Sequence, residues 1–146
     1  MNNDLRTLQV LGIDYHTAAL EVREAFSLDE SASRSLLGQA RSIPGLAEAL
    51  ILSTCNRTEF YLVAERGEQM ATIADAWLNL LRTFRPQAPV HGRGLAFYHH
   101  ADDSAVRHLL RVACGLESAL LGDVNIHGQL KQAFNLARQC ESVGPL

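Results

Sequence analysis

Two apolar runs, Ala49-Leu50-Ile51-Leu52 and Phe60-Tyr61-Leu62-Val63, flank the polar heptad Ser53-Thr54-Cys55-Asn56-Arg57-Thr58-Glu59. Short runs rich in branched and aromatic residues suit strands, so the heptad reads as a loop between two of them. This pattern places sheet structure in the middle of the chain, and the flanking segments have to be compatible with it. Leu8-Gln9-Val10-Leu11-Gly12-Ile13 reads as an earlier, inner strand. Ser27 followed by Glu30 is a capping-box pattern, and Leu28, Leu36, Leu37 and Ala40 suit a helix closing near Ile43-Pro44-Gly45.

Met70, Ile73, Ala74, Trp77, Leu80 and Leu81 recur at helical spacing, and the stretch stops before Pro86. A turn-rich connection from Pro86 to Gly94 leads to Leu95-Ala96-Phe97-Tyr98, which reads as a fourth strand. The order β-α-β-β-α-β is the split βαβ arrangement of ferredoxin-like folds, so an α+β class is expected for residues 1–100. Residues 101–146 read as a helical extension of two amphipathic helices. Asp102-Asp103-Ser104 offers capping side chains to the first, whose face would carry Val106, Leu109, Leu110, Ala113, Leu116 and Leu120 up to Gly122. Ile126, Leu130, Ala133, Phe134 and Ala137 mark the second.

With 146 residues and 47% apolar content, one globular domain is expected. No run approaches the roughly 18 to 20 apolar residues that a membrane helix needs, and Met1-Asn2-Asn3-Asp4 lacks the basic start of a secretory signal. A cytoplasmic protein without membrane contact is the expectation. The net charge is −3, and nothing resembles the polybasic footprint of nonspecific nucleic-acid binders. The three cysteines are widely and irregularly spaced, which suggests neither a disulfide framework nor a metal site.

Cys55 lies in the polar loop rather than on an apolar face, two residues from Arg57, whose charge would favour a thiolate. It is the candidate nucleophile. Cys114, among Val112, Ala113 and Leu116, is expected in the core, and Cys140 near the C-terminal edge carries no assignment. His99 and His100 fall at the join between the fourth strand and the next helix, where functional side chains often sit; His108 falls within that helix and His91 in a connecting turn. Polar residues cluster at Ser118 and from Gly122 to Gln129, where helix capping by Asp123 or Asn125 is the plain reading. No G-x-G-x-x-G follows a strand and no Walker-type loop is present, so no dinucleotide is expected to bind this chain.

The full heptad Ser53 to Glu59 resembles the signature of glutamyl-tRNA reductase. Further stretches fall in the same order: Leu11-Gly12-Ile13 with Thr17-Ala18, Val22-Arg23-Glu24, Tyr98 with His100, Ala105 to Leu109, and Arg111-Val112-Ala113 leading to Gly115-Leu116-Glu117-Ser118. The resemblance runs from about residue 8 to the end. Val143-Gly144-Pro145-Leu146 matches a point where the family's chain continues, so a cut sequence is expected, with the NADPH-binding and dimerisation domains absent.

The resemblance implies an NADPH-dependent oxidoreductase that converts glutamyl-tRNA to glutamate-1-semialdehyde in tetrapyrrole (porphyrin) synthesis through a thioester at Cys55. It implies His100 as a second catalytic residue, and Thr54, Asn56, Arg57, Ser118, Asp123, Val124, Asn125 and Gln129 as substrate-binding residues, with Arg57 suited to pair a carboxylate in bidentate fashion. NADPH is the implied cofactor of the full-length protein and this fragment is expected to bind none; alone it would be at most an esterase. The implied partners are glutamyl-tRNA, a second copy in the full-length homodimer, and the downstream glutamate-1-semialdehyde aminomutase.

The family's Asn-His-Lys-Thr-Ala-Pro stands here as Asp14-Tyr15-His16-Thr17-Ala18-Ala19, and its Gly-Glu-Pro-Gln-Ile-Leu-Gly-Gln as Gly122 to Gln129 with Asp123, Val124, Asn125 and His127. Shorter side chains at 123 and 125 bear on substrate identity more than on reaction type. Two other readings stay open: a divergent paralogue that binds an aminoacyl-tRNA or a partner protein without reductase activity, and a thiol redox sensor centred on Cys55.

Overall fold

The first apolar run forms β1 (Thr7–Asp14), and two short helices follow it, α1 (Leu20–Phe26) and α2 (Glu30–Ala40). β2 (Leu46–Ser53) and β3 (Arg57–Ala64) make a hairpin, α3 (Met70–Phe84) crosses back, and β4 (Tyr98–Ala101) completes the sheet before α4 (Asp103–Ala113) and α5 (Asn125–Gln139). These elements come from a computed structural model that describes residues 6–90, 97–122 and 124–144. The sheet order is β2-β3-β1-β4 with every neighbouring pair antiparallel, which is the expected ferredoxin-like α+β arrangement.

Successive strand residues point to opposite faces, and both faces of β3 are covered. On one face Leu11, Ile13, Ile51, Phe60 and Leu62 pack with Phe26, Leu36, Leu37, Ile73, Trp77 and Leu81 from the helices. On the other, Val10, Leu52 and Tyr61 meet Ala105, Val112 and Ile126. α5 runs past the β2 edge and contributes to both clusters, Ile126 to one and Ala137 to the other. Beyond it, Ser142 accepts the Ala49 N–H at 2.7 Å and returns its hydroxyl to the Ala49 carbonyl at 2.9 Å. Edge groups of β2 that would otherwise be open to another strand are thereby paired.

Several local expectations change. Only Thr54, Cys55 and Asn56 lie off the strands: Ser53 ends β2, and Arg57, Thr58 and Glu59 begin β3, opposite Asp14, Ile13 and Gly12. A charged pair can enter a central strand because its members satisfy each other, which period and polarity alone do not reveal. The capping box at Ser27 is replaced by a cap two residues later, where Asp29 accepts the Ala32 N–H at 2.7 Å; Ser27 instead terminates α1, a helix the periodicity does not suggest.

The fourth strand is Tyr98–Ala101, so both His99 and His100 lie within it rather than at its end; Leu95, Ala96 and residues 91–94 of the expected turn lie outside the described residues. α4 stops at Ala113 and turns occupy the stretch to Gly122. Its buried face is Ala105, His108 and Val112, while Val106, Leu110, Leu116 and Leu120 are exposed, Leu120 by 78%. The helix is rotated because His108 turns inward to a carboxylate. Cys114, expected in the core, is consequently exposed. No side chain caps α4 from Asp102; Ser104 instead exchanges hydrogen bonds with the Ala101 backbone. The N-cap of α5 falls on Val124, whose side chain cannot cap, and Asp123 lies outside the described residues.

Candidate active site: a cysteine at a hairpin tip and a buried carboxylate cluster

The tip of the β2–β3 hairpin is closed by the Thr54 N–H donating to the Arg57 carbonyl at 2.8 Å. The Thr54 hydroxyl oxygen also accepts the N–H groups of Asn56 at 3.2 Å and Arg57 at 3.3 Å, the local pattern by which threonine stabilises a turn. Cys55 therefore stands at the apex of a tight, internally bonded turn, with its side chain exposed. Arg23 of α1 donates to the Cys55 carbonyl at 2.9 Å and to the Ala18 carbonyl at 3.2 Å, tying the tip to the turn after β1. Below the tip, the Ser53 hydroxyl accepts the Leu28 N–H at 3.0 Å and lies 3.2 Å from the Thr58 hydroxyl.

The turn after β1 is built on Asp14, whose carboxylate accepts the N–H groups of His16 and Thr17 at 2.9 and 3.1 Å. Asparagine could accept the same bonds through its side-chain oxygen, so aspartate at position 14 preserves this turn. From it the Tyr15 hydroxyl donates to the Ser118 carbonyl at 3.2 Å.

Arg57 is 2% exposed and Glu59 is fully buried. One Glu59 oxygen accepts from the Arg57 guanidinium and lies 2.8 Å from the His108 ring nitrogen Nε2, and the Tyr98 hydroxyl donates to the same atom. The other accepts from the Tyr61 hydroxyl. Burial alone would raise this carboxyl, but the His108 hydrogen bond and the Arg57 charge outweigh it and bring its pKa down to about 2. Burial and the Glu59 charge push both tyrosine hydroxyls well above their ordinary range, so they act as donors. For Arg57, burial works against the charged form, but Glu59 more than compensates. The remaining guanidinium arm donates to the Glu117 carbonyl.

Gly12 makes room for this arrangement. Tyr98 lies opposite it on β4 and leans across β1 toward Glu59, and a Cβ at position 12 would sit 2.7 Å from the tyrosine ring. His100, two residues along the same strand, stacks on His108 with ring centroids 4.5 Å apart, whereas His99 on the opposite face pairs with Gln9. Burial and the neighbouring His108 lower the His100 pKa below its usual value.

The candidate residues read from the sequence are thus partly gathered. Thr54, Cys55 and Asn56 form the tip, and Ser118 is joined to the turn after β1 through its backbone. His100 belongs to the Glu59 cluster through His108. Arg57 lies inside that cluster and is not presented to solvent, which removes it as a freely available clamp for a carboxylate. Gln129 lines a polar groove of about 460 Å³ between α2, β2 and α5, together with Ser53, Glu30, Gln132 and Gln139. Asn125 is the first residue of α5, and Val124 is 82% exposed. Arg23, Glu59, Tyr98 and His108 stand in the stretches that carry the family resemblance but were given no role in the site. Reading Arg57, Glu59 and Tyr61 as one strand face, and Ala105, His108 and Val112 as one helix face, would have found most of them. Among the described residues no three potential metal ligands are grouped, and no helix is long and apolar enough to cross a membrane.

Residues 11–146 match the family of the glutamyl-tRNA(Glu) reductase N-terminal domain. The chain is 42% identical over 139 residues to the glutamyl-tRNA reductase of Chromohalobacter salexigens, covering 94% of this chain and 31% of the relative. It is 43% identical over 132 residues to that of Stenotrophomonas maltophilia, covering 90% and 28%. Among solved structures, glutamyl-tRNA reductase from Methanopyrus kandleri superposes with a TM-score of 0.67 at 28% identity, over 94% of this chain and 29% of that one. The chain thus spans about a third or less of the length of these relatives. On both the family match and these identities, the chain belongs to the glutamyl-tRNA reductase N-terminal domain family.

Proposed function

We propose that this chain carries the acyl-accepting half of a glutamyl-tRNA reductase, with Cys55 as the nucleophile. The observation that carries this reading is the exposed thiol at the apex of a turn held by Thr54 and Arg23, on the hairpin whose strand β3 carries the buried Glu59 cluster that His100 joins through His108. A nucleophile held in a fixed orientation is what acyl transfer requires, and a neutral imidazole is the base that serves it. His100 takes the thiol proton, and the thiolate attacks the ester carbonyl carbon of glutamyl-tRNA. A carbon–sulfur bond forms, the bond to the ribose oxygen breaks, and the proton passes from His100 to that oxygen.

NADPH is the reductant implied by the family, but these residues do not fit it. The sheet is antiparallel throughout, so no parallel strand–turn–helix with a glycine-rich phosphate turn exists among the described residues. The chemistry assigned to this chain therefore ends at the thioester, which water resolves to glutamate and free thiol. Reduction to glutamate-1-semialdehyde, on the way to tetrapyrroles, would be the following step and is not assigned to these residues.

A second reading, an aminoacyl-tRNA or partner-binding paralogue, is favoured by one observation: both arms of Arg57 are already engaged, on Glu59 and on the Glu117 carbonyl. Intact-protein mass spectrometry after mixing with glutamyl-tRNA separates the two. The first reading predicts a glutamyl adduct that vanishes in Cys55→Ser and persists in Cys114→Ser, the second exposed thiol serving as the control. Folded protein that takes up no glutamyl group and does not hydrolyse the charged tRNA supports the second reading.

A further inference from the structure

His108 lies on α4, outside the hairpin, and is one of few polar side chains that the sheet buries. Its Nε2 is 2.8 Å from a Glu59 carboxylate oxygen. An ionised carboxylate only accepts, so Nε2 carries the hydrogen and a neutral His108 has its bare nitrogen at Nδ1. The opposite side of the ring system is occupied by His100, nearly parallel at 20° with centroids 4.5 Å apart. Tyr98 closes a third side, its ring 5.2 Å from His108 and 5.6 Å from His100, and its hydroxyl is bonded to the same carboxylate. Two of the rings that surround His100 are thus anchored on one buried group.

We propose that His108 is a positioning residue for His100: anchored by Glu59, its imidazole stacks against the His100 ring and fixes its orientation. The assignment rests on His100 being the proton-transfer group of the proposed function. The groups that face His100 are Glu59 from β3, His108 from α4, Glu117 from the turn after α4, and His99 on its own strand. The two carboxylates favour the protonated ring; burial and the two histidines oppose it, and the opposing group prevails. Two stacked imidazoles resist carrying a proton each, so removing one ring releases the other to protonate at higher pH. A histidine held neutral in this way remains a base at pH values where an unassisted one is partly consumed.

The test uses nitrogen-15 imidazole NMR titration of the wild type and of His108→Gln, alongside the pH profile of glutamyl transfer from glutamyl-tRNA. Glutamine can keep a donor toward Glu59 while losing the ring that stacks on His100. In wild type, His108 is expected with its hydrogen on Nε2 and His100 titrating below the ordinary histidine range. In His108→Gln the His100 titration moves to higher pH, and the acidic limb of the acylation profile moves with it. An unmoved or lowered His100 titration overturns the proposal, as does a wild-type His108 with its hydrogen on Nδ1. If His108→Gln fails to fold, the wild-type spectrum decides. If neither protein is acylated, the proposed function fails while the titrations still decide the positioning role.

Discussion

On one face of the sheet Phe60 and Leu62 meet Trp77, Leu36 and Leu37; on the other, two residues along the same strand in each direction, Arg57, Glu59 and Tyr61 meet Tyr98 and His108. Both faces bury most of these side chains but are held by different forces. The first gains by removing apolar area from water and tolerates changes of shape that keep volume. The second has buried a carboxylate and a guanidinium, a cost that is offset only while every donor and acceptor is matched. The difference teaches where precision is needed: the polar face fixes orientation at single atoms, and it is that face which reaches His100.

The largest effect is expected where matching is broken. Glu59→Leu strands the buried Arg57 charge and leaves His108, Tyr61 and Tyr98 without their shared acceptor, which should cost about 3–5 kcal/mol in denaturant unfolding. The carboxyl also dictates an acid dependence. Its folded pKa, about 2, is below the reference value of 4.5, so its contribution is complete above 4.5 and is lost as pH falls from there toward 2. Leu36→Ala, on the apolar face, should cost about 2–5 kcal/mol through the cavity it leaves, while keeping that acid slope intact. Midpoints measured from pH 7 down toward pH 2 would break the comparison if Leu36→Ala flattened the slope or Glu59→Leu retained it in full.

A middle-sized effect is expected at Gly12, whose lack of a Cβ matters only to the polar face. Gly12→Ala places a methyl 2.7 Å from the Tyr98 ring and should cost about 1–3 kcal/mol by overpacking. Placed on a Tyr98→Ala background, the same substitution should cost nearly nothing, since the pair is in direct contact and their effects cannot add. An undiminished cost in the double variant would mean that the backbone of β1, rather than the tyrosine, is what excludes the methyl.

Legibility followed the same division. The apolar face was open to periodicity: Leu36, Leu37, Ile73, Trp77 and Leu81 were assigned to helices that pack on the sheet, and the strand order follows from the βαββαβ succession. The polar face was not, because Arg57 and Glu59 look like loop residues until their pairing is known, and His108 looks like a helix-surface residue until Glu59 is placed. Assigning Val106 and Leu110 to the core followed from the same omission, since turning His108 inward carries them outward. The polar turn that presents Cys55 was legible because its environment is local: its hydrogen bonds are contained in Thr54 to Arg57.

The smallest expected effect tests whether the turn after β1 is preformed independently of either face. Ala19 precedes α1 with φ of −62°, within the range that a proline ring imposes, and no backbone hydrogen bond from its nitrogen is found among the described residues. Its carbonyl accepts the Arg23 N–H at 3.1 Å, a bond that proline leaves in place. Ala19→Pro restores the residue usual in the family and narrows the unfolded ensemble without removing a native contact, so it should stabilise by about 0.4–1 kcal/mol. The acid slope set by Glu59 should be unchanged, because Asp14 and Thr17 hold this turn by their own hydrogen bonds. A gain in stability accompanied by an altered acid slope would instead tie the turn to the polar face, making Tyr15 and its bond to Ser118 the connection to examine next.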